Sequence, residues 1–233
     1  MNYTCTRMTI FNVKNVCDTK VRSLSSWLML FFDNIIGCGK RVPADLVFAL
    51  PPEIKADDTK QALRFIRDLV QEFDIADDSV RLGMVPKQCA SVAGFSLTSA
   101  ANKEDILDMF TLDNNHTRYD TASVLNYMHT QSFQNTASPK RAKAKRIGVI
   151  IIDSDSKNAT VTALEALSAK DEADIELFVV TVGKQVSDHE ARLIASEPED
   201  QHIFSASSYA DLVSVAELLE KRINDVCDGR YTA

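Results

Sequence analysis

Histidines, cysteines and carboxylates are the residues in this chain equipped for proton transfer, nucleophilic attack or metal binding. His116, His129, His189 and His202 stand far apart, and none has a nucleophile at a recognised spacing. Each therefore reads as a surface or packing residue. Cys5, Cys17, Cys38, Cys89 and Cys227 form no C-x-x-C pair and have no histidine at ligand spacing, which leaves a zinc site without support. Their odd number leaves at least one thiol unpaired or intermolecular. No G-x-G-x-x-G, P-loop, G-x-S-x-G or H-E-x-x-H occurs, and seven glycines in 233 residues leave little backbone to cradle a phosphate. Dinucleotide enzymes and hydrolases of the usual kinds are disfavoured.

Charge narrows the partners. Lys and Arg total 26 against 33 Asp and Glu, a net −7, which argues against nucleic acid, whose binding needs clustered positive charge. One local exception is Pro139–Arg146, where Lys140, Arg141, Lys143, Lys145 and Arg146 occur with no acid. Such a run is either a solvated loop before a strand or a site for a sulfated glycosaminoglycan or another polyanion. Asn2, Asn115 and Asn158 open N-x-Thr triplets, glycosylation candidates only if the chain enters the secretory pathway. The apolar run Leu24–Phe32 is too short for a bilayer span of about 20 residues. It is the apolar part of a displaced signal segment or an amphipathic N-terminal helix, and residues 1–37 are taken as a leader.

The elements that must position any site begin near residue 45. Asp45–Leu50 is an almost continuous apolar run stopped by Pro51-Pro52, as expected of a parallel strand buried on both faces. Asp57–Phe73 then places Ala62, Phe65, Ile66, Leu69, Val70 and Phe73 on one helical stripe. Val80–Val85 and Val92–Leu97 read as a hairpin, and Asn102–Phe110 as a helix capped by Asn102. Thr121–Thr130 is a second helix, with Val124, Leu125 and Met128 inward. Arg146–Asp153 is the strongest strand, followed by a helix at Ala159–Ala169, a strand at Ile175–Val182, a helix at Asp188–Ser196 and a short strand at Gln201–Ser205. The helix Tyr209–Val226 closes the series, with Leu212, Val215, Leu218, Leu219, Ile223 and Val226 on its buried side. This alternation predicts an α/β fold: a doubly wound, mostly parallel central sheet of about six strands, one an antiparallel edge strand, with helices on both faces. Ligands of such sheets bind beyond the carboxyl ends of the strands, which points to the loops after Leu50, around Thr117 and after Asp153. The polar residues available there are Glu53, Thr117, Asp120 and Asp153.

Several stretches resemble the von Willebrand factor type A domain over roughly residues 38–227. They are Ala44–Leu50, Val80–Val85, Phe95–Leu97 with Lys103–Leu107, Ile175–Gly183 and, most specific, Leu193–Phe204, which is similar to the family's final helix-to-strand connection. The style is that of extracellular-matrix members such as type VI collagen and matrilins. The resemblance implies a domain over 38–228, a tail at 229–233, and a noncatalytic, secreted module of the extracellular matrix. Its partner would be a matrix or cell-surface protein, collagen among the candidates, with no membrane span and no nucleic acid.

The family's metal-ion-dependent adhesion site surrounds Mg²⁺ with a D-x-S-x-S motif, a later Thr and a later Asp. Here the motif positions fall on Pro51, Glu53 and Lys55, while Thr117 and Asp153 match the other two. Mg²⁺ wants octahedral hard oxygen ligands, which proline and lysine do not supply. The implied site is vestigial, with no cofactor expected, Mg²⁺ or Ca²⁺ being the alternative, and with Lys55 pairing with Asp153 in place of the ion. Asp153-Ser154-Asp155-Ser156-Lys157 has the motif's look but follows the wrong strand, and reads as a polar loop capping the next helix. Cys38 and Cys227 match the pair that many extracellular members join. Cys89 is then the candidate free thiol, and Cys5 and Cys17 are open to mutual pairing. The alternatives within the resemblance are a metal-dependent adhesion domain and an intracellular assembly factor.

Overall fold

A computed structural model describes residues 37–40, 42–85, 94–99, 102–109, 120–133 and 141–229 of the protein. Its sheet is made by the apolar runs: β1 (Ala44–Ala49), β2 (Val80–Met84), β3 (Lys145–Ile152), β4 (Ile175–Val182) and β5 (Ile203–Ala206). The order is β2-β1-β3-β4-β5 and every pairing is parallel. Among the described residues the sheet has five strands, where about six were expected. Among the described residues the antiparallel edge is one bridge, Met84 with Phe95, after which Ser96, Thr98 and Ser99 turn the chain through their own hydroxyl and backbone bonds; Val92, where that strand was expected to begin, lies outside the described residues.

Because strand side chains alternate between faces, the continuous runs feed two cores. Leu46, Phe48, Ile147, Val149, Ile151, Phe178 and Val180 pack on one face, against α1 (Ala56–Val70) and α7 (Val213–Asp228). Val47, Ala49, Ile150, Ile152, Leu177 and Val179 pack on the other, with α3 (Thr121–Tyr127), α4 (Ala159–Leu167) and α5 (Asp188–Ile194). The apolar stripe of α1 is buried throughout, Phe73 included. Gly148 admits a close neighbour on the second face: a Cβ there would stand 2.6 Å from the sulfur of Met128.

Two helix readings change at their ends. The helices at 121 and 159 pass into wider, π-type turns at Met128–Ser132 and Ser168–Glu172. Asn102 does cap α2 (Lys103–Met109), its Oδ1 accepting from the Asp105 N–H at 2.9 Å. The strand expected at Gln201–Ser205 is β5 and begins two residues later, at Ile203, because Gln201 and His202 close a short helix, α6 (Glu199–His202). His202 is fully buried there and stacks on Phe178 with ring centroids 4.6 Å apart, so its apolar neighbourhood comes from tertiary packing and not from strand alternation. Leu218 is 49% exposed, and not on the buried side of α7.

Candidate functional site

The strand order reverses between β1 and β3, the two central strands whose neighbours lead in opposite directions. Their carboxyl ends therefore open a crevice that neither connection covers. Pro51, Glu53 and Lys55 leave β1 there, and Asp153 leaves β3. Thr117, the other expected residue of this set, lies outside the described residues.

The loop after β3 is tied down residue by residue. Asp153 Oδ2 accepts a 2.8 Å hydrogen bond from the Tyr209 hydroxyl. Asp155 Oδ1 accepts from the Ser187 N–H at 2.7 Å, and the Ser156 N–H donates to Glu190 Oε1 at 3.1 Å, so the loop is fastened to the start of α5. Lys157 Nζ reaches Glu53 Oε1 at 3.4 Å, across to the loop after β1. The cap of α4 itself is Asn158, whose Oδ1 accepts from the Val161 N–H. Asp153–Lys157 thus does not itself cap the helix after it: it joins three loops at one end of the sheet.

One expected arrangement is replaced. Lys55 does not pair with Asp153; the partner of Asp153 is Tyr209, and the lysine that meets a carboxylate is Lys157, on Glu53. Burial, aided by the Asp153 hydrogen bond and the charges of Asp153 and Asp58, pushes the Tyr209 phenol far above its ordinary range. It therefore stays neutral and keeps its proton on the bond to Asp153. Asp120, at the start of α3, has its carboxyl held below its ordinary value chiefly by the Ser123 N–H, which it accepts at 2.9 Å. Sequence alone gave no signal for Tyr209: it stands 56 residues from Asp153 and meets it only because β3, β4 and β5 lie side by side.

Mg²⁺ requires a cage of six hard oxygens. Pro51 offers no side-chain donor, Lys55 brings an ammonium group, and one oxygen of Asp153 is occupied by Tyr209. Among the described residues, no three histidine, cysteine, aspartate or glutamate side chains converge on a point where an ion could sit. Beside Tyr209 a groove of about 300 Å³ runs between α1 and the turn before α7, walled by Phe65, Leu212 and Val213 with Arg64 and Asp68. Neither Glu53 nor Asp153 lines it.

The opposite end of the sheet revises the basic run. Arg141 is buried, 4% exposed, and its guanidinium grips Asp45 at 2.6 Å while donating to the backbone carbonyls of Ala44, Asp77 and Ser79. It is therefore withdrawn from any polyanion surface. Burial pushes the Asp45 carboxyl above its ordinary value against the pull of Arg141. Arg146 is half-buried and donates to the Ala173 carbonyl at 2.8 Å, leaving Lys143 and Lys145 exposed; Lys140 lies outside the described residues. Nearby, Cys38 and Cys227 form a disulfide with Cα atoms 5.1 Å apart, joining the chain before β1 to the end of α7. Asn2, Asn115, Cys5, Cys17 and Cys89 also lie outside the described residues, whereas Asn158 is exposed. No helix among the described residues is long and apolar enough to cross a membrane.

Known proteins agree with this architecture. A family profile, the von Willebrand factor type A domain, matches residues 52–218. The collagen alpha-1(XX) chain of Mus musculus is 28% identical over 200 residues, covering 83% of this chain and 14% of its own length. Matrilin-1 of Bos taurus is 28% identical over 193 residues, covering 80% and 34% respectively. The chain thus spans about a third of the length of one of these relatives and about a seventh of the other. Proximal thread matrix protein 1 of the mussel byssus, solved with a zinc-occupied adhesion-site motif, superposes with a TM-score of 0.67 at 19% identity, over 82% of this chain and 49% of that one. A parallel sheet with its switch point between β1 and β3, helices on both faces and a matching family profile lead to one conclusion: the chain belongs to the von Willebrand factor type A family.

Proposed function

We propose that this chain is a noncatalytic, secreted adhesion module that binds a matrix or cell-surface protein without a bridging metal ion. The observation that carries the reading is the Tyr209–Asp153 hydrogen bond beside Pro51 and Lys55. A metal-bridged mechanism needs an ion with an open position for a carboxylate of the partner. Here the carboxylate that would hold the ion is bound to a phenol, and an ammonium group stands in the neighbouring loop. Kinship with a collagen chain and a matrilin supports a matrix setting. The Cys38–Cys227 bridge supports an oxidising compartment, where such bonds persist, over an intracellular assembly role.

The test is solid-phase binding of the full chain to fibrillar collagen and a panel of matrix glycoproteins, with Mg²⁺ or with EDTA. Saturable binding that EDTA leaves unchanged is the expected result. Binding that EDTA abolishes, and that Asp153→Ala also abolishes, would restore the metal-dependent reading. Glycosaminoglycan binding is the weaker companion reading, since Lys143 and Lys145 are the cations of the described part of the run that remain exposed.

A further inference from the structure

Helix α4 is built the reverse of an ordinary surface helix. Toward the sheet it presents Thr162 and Ala166, with Ala169 in the turn beyond, all buried and small. Away from the sheet it presents Val161, Leu164 and Leu167, which are 40%, 59% and 51% exposed. Together with Tyr127 of α3, these are four of the six large apolar side chains exposed among the described residues. Grouped apolar surface of this kind calls for something to cover it.

The row does not begin at Val161. Residues three apart are neighbours on a helix surface, and the series 158, 161, 164, 167 starts at Asn158. Asn158 is exposed, and its Oδ1 caps α4 by accepting from the Val161 N–H at 3.3 Å. Its Nδ2 has no hydrogen-bond partner among the described residues. Ala159 and Thr160 complete an N-x-Thr triplet, and Thr160 is exposed as well. The modifiable nitrogen therefore stands at the head of an uncovered apolar row that runs about 13 Å along the helix at 1.5 Å per residue.

We propose that Asn158 carries an N-linked glycan whose inner sugars lie along Val161, Leu164 and Leu167 and shield them. In the attachment step Nδ2 bonds to the anomeric carbon of an N-acetylglucosamine supplied by a lipid-pyrophosphate-linked oligosaccharide. The bond from that carbon to the pyrophosphate oxygen breaks, the lipid pyrophosphate leaves with the electron pair, and Nδ2 gives up one proton. Oδ1 is untouched, so the cap and the helix start survive. The C–H faces of the sugar rings supply apolar cover, while their hydroxyls remain in water. This proposal rests on the reading of a secreted module, because the donor is met on the secretory route.

The experiment is designed to separate the two readings. The full 233-residue chain is expressed in mammalian cells behind a heterologous secretory signal, and glycopeptides are mapped in both medium and cell-associated protein. Asn158 is expected to be occupied in the wild type and bare in Thr160→Ala, which keeps the Asn158 cap. Peptide N-glycosidase treatment of the folded wild type is expected to raise binding of a hydrophobic dye several-fold, and Leu164→Ser to cancel most of that rise. An unmodified Asn158 in both fractions overturns the proposal. So does an occupied Asn158 whose deglycosylation leaves dye binding unchanged. Matrix binding by the same secreted preparations tests the module reading separately: a glycosylated chain that binds neither collagen nor any matrix glycoprotein contradicts that reading and leaves the glycan result standing.

Discussion

Arg141 stands in a run of cations yet serves the interior, and its role follows from its register. It lies just before β3, which pairs with β1, so its guanidinium meets Asp45 in a place closed to water. Removing one partner of a buried pair leaves the other charge uncompensated, and Arg141→Ala is expected to cost about 3–5 kcal/mol in urea unfolding. The double change Asp45→Leu with Arg141→Met is expected to recover most of that loss, since apolar residues of similar volume need no counter-charge. If the double variant is less stable than either single one, the pair contributes more than mutual compensation. Tyr209 gives a second test at this scale. Its folded-state pKa is raised, so the stability it contributes is held below the ordinary phenol value of 10.0 and is lost as pH rises past it, where the unfolded phenol ionises. Unfolding midpoints at pH 8 and pH 11 are expected to diverge less in Tyr209→Phe than in the wild type.

Between elements, the clearest polar fastening joins the end of α3 to α4. Glu165 accepts from Asn126 at 3.0 Å and pairs with His129 at 2.8 Å, and these bonds hold its carboxyl below the ordinary 4.5. A depressed folded-state pKa contributes stability that is present above 4.5 and is lost as pH falls through the folded value. Glu165→Gln is therefore expected to lower stability at pH 6 and to flatten its decline toward pH 3, which urea midpoints across that range would reveal. Strands such as β3 and β4 were legible in the sequence because burial on both faces demands unbroken β-branched runs. The antiparallel edge pairing at Phe95 was legible as a hairpin, but not the turn that Ser96, Thr98 and Ser99 make directly after it. The start of β5 was misjudged because the burial of His202 comes from stacking on Phe178. Of the candidate site, Glu53 and Asp153 were legible from the rule that parallel strands present ligands at their carboxyl ends, and Lys55 from the family resemblance. Their partners Lys157 and Tyr209 were not, since contacts 104 and 56 residues apart exist only in the finished sheet.

At the scale of the whole molecule, the Cys38–Cys227 bridge closes a span of 189 residues, the largest constraint available to an unfolded form of this domain. Replacing both cysteines with serine is expected to cost about 4–5 kcal/mol on the loop-entropy account, measurable by denaturant unfolding under matched redox conditions. That bridge ties the amino ends of the strands, together with the Asp45–Arg141 pair, while the carboxyl ends hold the Tyr209–Asp153 and Lys157–Glu53 contacts. The central claim is that this second end binds without metal. Calorimetric titration of the disulfide-intact chain with Mg²⁺, Ca²⁺ and Mn²⁺, with Asp153→Ala as control, tests it most directly. No saturable heat for any ion, in either protein, is the result this account predicts; saturable binding in the wild type that disappears in Asp153→Ala would contradict it.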